Sequence, residues 1–130
     1  MSYYLLDTHT FLWFMDGVPR LPFRTRELIE EAEDVCISIA SFWEMTIKSS
    51  IGRLSLPRSV SETMLFCEDE LGFSILAIRD IHLETLRTLP WFHKDPFDRL
   101  IIAQAMSENM TLISLDERIM EYPVRRVWEK

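Results

Sequence analysis

Apolar residues fall along this chain in short blocks whose spacing changes repeatedly, and each change of spacing predicts an element. Residues 3–6, Tyr-Tyr-Leu-Leu, are a compact apolar run ended by Asp7, which predicts a buried first strand. Residues 8–16 carry Phe11, Leu12, Trp13, Phe14 and Met15, apolar on nearly every side, before Gly17 and Pro19 break the run. A helix of that kind needs more than one surface to bury against. Residues 22–33 put Leu28, Ile29 and Ala32 on one side and Arg24, Arg26, Glu27, Glu30 and Glu31 on the other, the pattern of an exposed helix. Residues 35–39 are continuously apolar but for Ser38, as in a parallel strand covered on both faces.

Ser41-Phe42-Trp43-Glu44 reads as the next helix start, with Ser41 as N-cap and Glu44 as its capping-box partner; Glu44 also stands four residues before Lys48, an ion-pair spacing. Gly52 and Pro57 close that helix. Residues 59–71 predict another, with Val60, Met64, Leu65 and Leu71 able to face inward, and Gly72 ends it. A third strand follows at 73–78 and a short helix at 80–89, with Ile81, Leu86 and Leu89 as its apolar side. Residues 111–115 predict a fourth strand ending at Asp116, residues 117–121 a short helix, and residues 124–128 a fifth strand at the sheet edge with Arg125 and Arg126 exposed. Strands alternating with helical patterns predict an α/β fold: a three-layer sandwich in which a parallel sheet of four to five strands carries helices on both faces.

The stretch 93–105, His-Lys-Asp-Pro-Phe-Asp-Arg-Leu-Ile-Ile-Ala-Gln-Ala, writes a helix start most plainly. Asp95 occupies an N-cap position and Pro96 the first helical position, which wants no N–H. Asp98 is the anomaly: it lies three, four and seven residues before Ile101, Ile102 and Ala105, so a carboxylate heads the buried stripe. Either the free N–H groups and dipole of the helix start satisfy it, or something charged meets it.

The 130 residues predict a single domain, 1–130, large enough to bury a core without staples. The net charge of −7 argues against gripping nucleic acid by bulk electrostatics, but not against acids gathered in a metal site that scattered arginines supplement. Cys36 and Cys67 show neither metal-ligand spacing nor a disulfide framework and are expected as reduced core thiols of a cytoplasmic protein. The first residues lack the basic and apolar regions of a leader, and no run is long enough to span a membrane.

In open parallel sheets the functional crevice lies beyond the carboxyl ends of the strands. The predicted boundaries put Asp7, Glu44 and Asp116 along that edge, each with a plain capping role as the alternative. Spacing assigns the start of the Asp98 helix to the opposite end of the sheet unless the helix is oriented otherwise. Converging carboxylates repel and raise one another's pKa, whereas one or two hard divalent ions would make them a site. Oxygen ligands suit Mg²⁺ or Mn²⁺, and the lack of Cys/His pairs argues against zinc.

The segments Asp7-Thr8-His9, Ser41-Phe42-Trp43-Glu44, Asp95-Pro96-Phe97-Asp98-Arg99 and Ser114-Leu115-Asp116 occur in the order found in PIN-domain ribonucleases, and the whole chain resembles the VapC toxins of toxin–antitoxin pairs. The resemblance implies that Asp7, Glu44, Asp98 and Asp116 form a metal-binding catalytic quartet and that the Asp98 helix begins at the shared cleft. It implies Thr8, Arg99 and Ser114 as substrate-side residues. Ser114 stands where many relatives have threonine, and Glu117 directly follows Asp116; Asp116 is taken as the fourth acid. The implied activity is metal-assisted hydrolysis of RNA, with His9 and His93 either proton shuttles or plain solvated or core histidines, and Arg20, Lys48, Arg53, Lys94 and Arg99 either backbone contacts or solvated surface. The implied partners are a cognate antitoxin and a second copy of the chain.

Other enzyme classes fit poorly: there is no glycine-rich phosphate loop, no Gly-x-Ser-x-Gly elbow and no Cys/His nucleophile pair. A phospho-receiver domain would need paired acids at strand one and a lysine after the last strand. The alternative that remains is a non-catalytic PIN-like module binding a protein through a groove of Phe11, Trp13, Phe14, Trp43 and Met45.

Overall fold

The computed structural model describes residues 3–130; Met1 and Ser2, where the expected absence of a leader begins, lie outside the described residues. Five strands, β1 (Tyr3–Leu6), β2 (Asp34–Ser38), β3 (Ser74–Leu76), β4 (Thr111–Ile113) and β5 (Arg126–Val127), form a sheet in the order β3-β2-β1-β4-β5. Every neighbouring pair is parallel, as the alternating pattern predicts. The helices are α1 (Thr8–Asp16), α2 (Phe23–Glu31), α3 (Ile39–Ser50), α4 (Val60–Asp69), α5 (Asp80–Arg87) and α6 (Pro96–Glu108), with a 3-10 turn at Glu117–Glu121.

The two-residue period of the strands builds two cores. Leu5, Cys36 and Leu112 stand in register and pack on one face with Leu100, Ile101, Ile102 and Ala105 of α6. One step on, Leu6, Ile37 and Ile113 pack on the other face with Phe11, Ile29, Phe42, Met45 and Cys67 from α1 to α4. Burial pushes the Cys36 thiol up to about 11 and the Cys67 thiol up to about 12, as inert core residues require. Among the described residues no helix is long and apolar enough to cross a membrane.

Several elements differ from expectation. Ser41 is not the N-cap of α3: Ser38 is, its hydroxyl accepting the Ala40 N–H at 3.0 Å, so there is no Ser41–Glu44 capping box. Ser38 could close strand β2 and open α3 at once because a cap residue is itself extended. The three later strands are shorter than predicted, since apolar residues beyond them serve caps and loops. On the expected inner sides of α4 and α5, Leu65 and Ile81 stand exposed; on α5 the buried position goes to His82, whose Nε2 lies 2.6 Å from Glu108 and whose Nδ1 accepts the Arg79 N–H. Arg126 is half-buried rather than exposed, donating to the Ser114 carbonyl at 2.7 Å. The predicted apolar groove does not form as read, because Phe11 and Met45 are core residues; Trp43 is exposed.

Ser38 joins the two layers, because its hydroxyl also donates to Gln104 Oε1 of α6 at 2.5 Å, and Gln104 Nε2 reaches the Ala77 carbonyl. Ser38→Ala strips a cap and leaves a buried amide oxygen without its donor, an expected loss of about 2 kcal/mol. A lowered urea midpoint at unchanged m-value would show it.

Candidate metal centre

Four helix starts meet at the carboxyl edge of the sheet. Asp7 caps α1, its Oδ1 accepting the Thr10 N–H at 3.0 Å, while its Oδ2 accepts the Ser114 hydroxyl at 2.5 Å. The Ser114 oxygen in turn accepts the Asp116 N–H at 3.1 Å, so one buried hydroxyl links the acids after β1 and β4. Thr8 donates to Ser41 Oγ at 2.9 Å, tying α1 to α3. Glu44 consequently sits in the second turn of α3, 3% exposed. Lys48 Nζ holds its Oε2 at 2.5 Å, the spacing-predicted pair, whereas Oε1 is shielded from solvent and has no partner among the described residues.

Asp98 is at this edge as well, lining the cleft with Asp7 and Asp116. The opposite placement suggested by spacing is corrected by chain direction: α6 ends beside the amino end of β4, so its antiparallel run starts at the carboxyl edge. The capping alternative for Asp98 is also answered. Asp95 Oδ1 takes the N–H groups of both Phe97 and Asp98, leaving the Asp98 carboxylate only a 3.4 Å approach to His93 Nε2.

His93 follows the core-histidine alternative in its burial but not in its neighbours. It is 2% exposed, its Nδ1 accepts the Asp95 N–H, and the Nε2–H therefore faces the acids, 2.7 Å from Asp116 Oδ2. His93, Asp98 and Asp116 bring ligand atoms within 4.8 Å of one another. Glu117 is exposed instead. Arg118, which sequence reasoning missed, forks onto Asp116 with Nε to Oδ1 at 3.1 Å and a terminal nitrogen to Oδ2 at 3.2 Å. Its only signal was a place two residues after an acid. His9, Trp13 and Arg20 complete the rim, with Arg20 over the Trp13 ring at 4.7 Å.

Arg99 is corrected from a substrate contact to a loop anchor. It is 3% exposed, donates to the carbonyls of Leu89, Pro90 and His93, and lies 3.5 Å from the Trp91 ring centre. With its charge turned inward it presents no fork to a phosphate. Thr8 and Ser114 are likewise buried, bordering the site rather than facing substrate.

A family model described as the PIN domain matches residues 4–124. The chain belongs to the PIN-domain family. It is 26% identical over 123 residues to Ribonuclease VapC22 of Mycobacterium tuberculosis, a similarity covering 94% of this chain and 93% of that protein. In fold it is similar to VapBC2 from Rickettsia felis bound to a promoter DNA fragment, with TM-score 0.70 and 15% identity over 98% of this chain and 100% of that one. It is also similar to FitAcB from Neisseria gonorrhoeae, with TM-score 0.67 and 17% identity over 95% of each chain.

Electrostatics shows what this PIN cleft lacks. Burial, and then the negative charges of Asp95, Asp7, Glu44 and Asp116, push Asp98 up to about 8. Burial also raises Asp7, against the pull of Ser114 and Thr10. Asp116 goes the other way: burial works against it, but the hydrogen bonds from Arg118 and His93 prevail and lower it. The hard oxygen donors crowding Asp98, together with the Glu44 Oε1 that has no partner among the described residues, fit a divalent cation.

Because the folded-state pKa of Asp98 is raised, the metal-free protein holds that proton more tightly than the unfolded chain does. The contribution of Asp98 to stability is therefore fully present below about pH 4 and is lost as pH rises toward about 8. In chelator, Asp98→Asn is expected to melt above wild type by about 5 °C or more at pH 8, with the gap closing toward pH 4; differential scanning calorimetry across pH checks it.

Proposed function

We propose that this chain, taken as one PIN-like domain over residues 1–130, is an Mg²⁺- or Mn²⁺-dependent endoribonuclease that hydrolyses RNA phosphodiester bonds. The observation that carries the proposal is Asp98, a largely buried carboxylate crowded by Asp95, Asp7, Glu44 and Asp116 and pushed up to about 8, with a 3.4 Å approach to His93 Nε2 as its one close donor among the described residues. Asp98 is not the cap of its helix, since Asp95 takes the N–H groups of Phe97 and Asp98. The similarity to a protein named a ribonuclease supports RNA as the substrate.

Asp7 and Asp98 would hold the principal metal, with Glu44 and Asp116 completing the site or orienting water. A bound divalent ion supplies Lewis acidity toward water and phosphate. The chain's own groups do the rest. Ser114 fixes the rotation of Asp7, and Glu44 keeps one oxygen free while Lys48 restrains the other. His93, with its Nδ1 satisfied, orients Asp116 as a donor and does not shuttle protons. Arg20 lies at the cleft mouth where RNA phosphates pass, and His9 and Trp13 offer ring faces for stacking bases.

We further read the chain as the toxin of a toxin–antitoxin pair, neutralised in the cytoplasm by a cognate antitoxin. The related folds that carry a partner protein, such as the toxin–antitoxin complex from Klebsiella pneumoniae, support this. A homodimer belongs to the same reading: Trp43, Ile47 and Ile51 recur along α3 as an exposed apolar stripe, with Trp43 4.9 Å from Phe97 between ring centres. The non-catalytic binding module differs from this reading at the metal.

Mn²⁺ at about a hundred times its Kd should stabilise the wild type by about 2.7 kcal/mol, an upward shift of the thermal midpoint that Asp98→Asn lacks. Asp7→Asn and Asp98→Asn should each lose RNA cleavage while keeping their circular dichroism; cleavage retained by both would overturn the nuclease reading. A flat Mn²⁺ response in wild type would favour the binding module.

A further inference from the structure

Arg118 is 62% exposed at its side chain, and its contacts among the described residues are spent on Asp116 and on charge toward Asp98 and Asp95. Exposed arginines rarely give up rotamer freedom for one surface pair. This one closes a two-pronged fork on a carboxylate that belongs to the acid cluster. Each Asp116 oxygen then has two donors: Oδ1 takes the Arg118 backbone N–H and Nε, and Oδ2 takes an Arg118 terminal nitrogen and His93 Nε2. The backbone and His93 contacts are built into the fold. The two guanidinium contacts depend on a flexible side chain and are the part that can let go.

Resting on the metal-dependent reading above, we infer that Arg118 is an internal counter-ion that occupies Asp116 until a divalent cation takes the carboxylate, and is thereby released to grip an RNA phosphate. The geometry supplies both ends of the exchange. Asp116 cannot offer an unoccupied oxygen to a cation while the guanidinium is closed on it. Arg118 is anchored on the 3-10 turn at the cleft wall, on the same cleft as Arg20, so a freed fork stays at the mouth where a phosphate arrives. A planar guanidinium matches phosphate as it matches carboxylate. Metal uptake and RNA binding are then coupled through one side chain, each strengthening the other.

The test compares wild type, Arg118→Ala, Arg118→Lys and Asp98→Asn in Mn²⁺ titration calorimetry, without RNA turnover. Displacement predicts that both Arg118 variants bind Mn²⁺ more tightly, by roughly three- to tenfold, because lysine keeps the charge but does not span both oxygens. Mere charge repulsion predicts tightening in the alanine variant alone, and that result overturns the inference, as does unchanged affinity in both. A second readout is the anisotropy of a labelled phosphorothioate RNA: Mn²⁺ should strengthen its binding to wild type more than to Arg118→Ala. An equal loss in chelator and in Mn²⁺ would mark a fixed phosphate contact and overturn the coupling. If wild type takes up Mn²⁺ and Asp98→Asn does not, while the Arg118 variants match wild type, only this inference falls. If wild type takes up none, the metal reading falls with it.

Discussion

The crowding of Asp7, Glu44 and Asp116 around the largely buried Asp98 is the constraint around which the carboxyl edge of the sheet is arranged. Asp98 carries the cost, because it is largely buried, its neighbours Asp95, Asp7, Glu44 and Asp116 are all acids, and Asp7 and Asp116 line the same cleft. The fold does not relieve that cost with a fixed cation beside Asp98. It sets four helix starts against it, whose N–H groups and dipoles favour negative charge. The most direct donors at those starts are taken by Asp7, Ser38, Asp95 and Asp116 as caps. What remains is an Asp98 carboxylate without a cap donor of its own, crowded by acids, which is the feature the metal-dependent reading rests on.

Holding such a cluster together without its ion requires stiff surroundings. The segment between Leu89 and Asp95 is fastened from two sides. Arg99 donates to three of the carbonyls along it, and the Tyr122 hydroxyl donates to the Pro90 carbonyl and accepts the His93 N–H at 2.8 Å. The result fixes His93, and through it Asp116. Arg99 therefore serves the cleft from behind it, and the Asp98-Arg99 pair divides its labour: one residue lines the cleft, the next holds the wall.

The deeper network follows the same logic. Gln104 and Ser38 join α6 to the start of α3, so the helices bearing Asp98 and Glu44 are registered by buried hydrogen bonds as well as by apolar packing. Such polar contacts are directional, and they specify position where the interchangeable aliphatic contacts of the two cores do not.

The sequence by itself determined the alternation of strand and helix, hence a parallel three-layer fold, because the hydrophobic period is a local property of consecutive residues. It also determined the Asp95-Pro96 helix start and the Glu44–Lys48 pair, both within one turn. Spacing alone left Asp98 apart from the other acids, because it does not fix the direction of α6, and the family resemblance brought it to the cleft where it lies. Ser41 was misread because a cap one turn earlier is equally well formed, and only packing against Thr8 and Gln104 separates Ser38 from Ser41. The inward turn of Arg99, the presence of His93 among the acids and the fork of Arg118 on Asp116 were decided by tertiary structure alone. Each depends on which chain segment a long side chain meets across space, and local spacing does not carry that information.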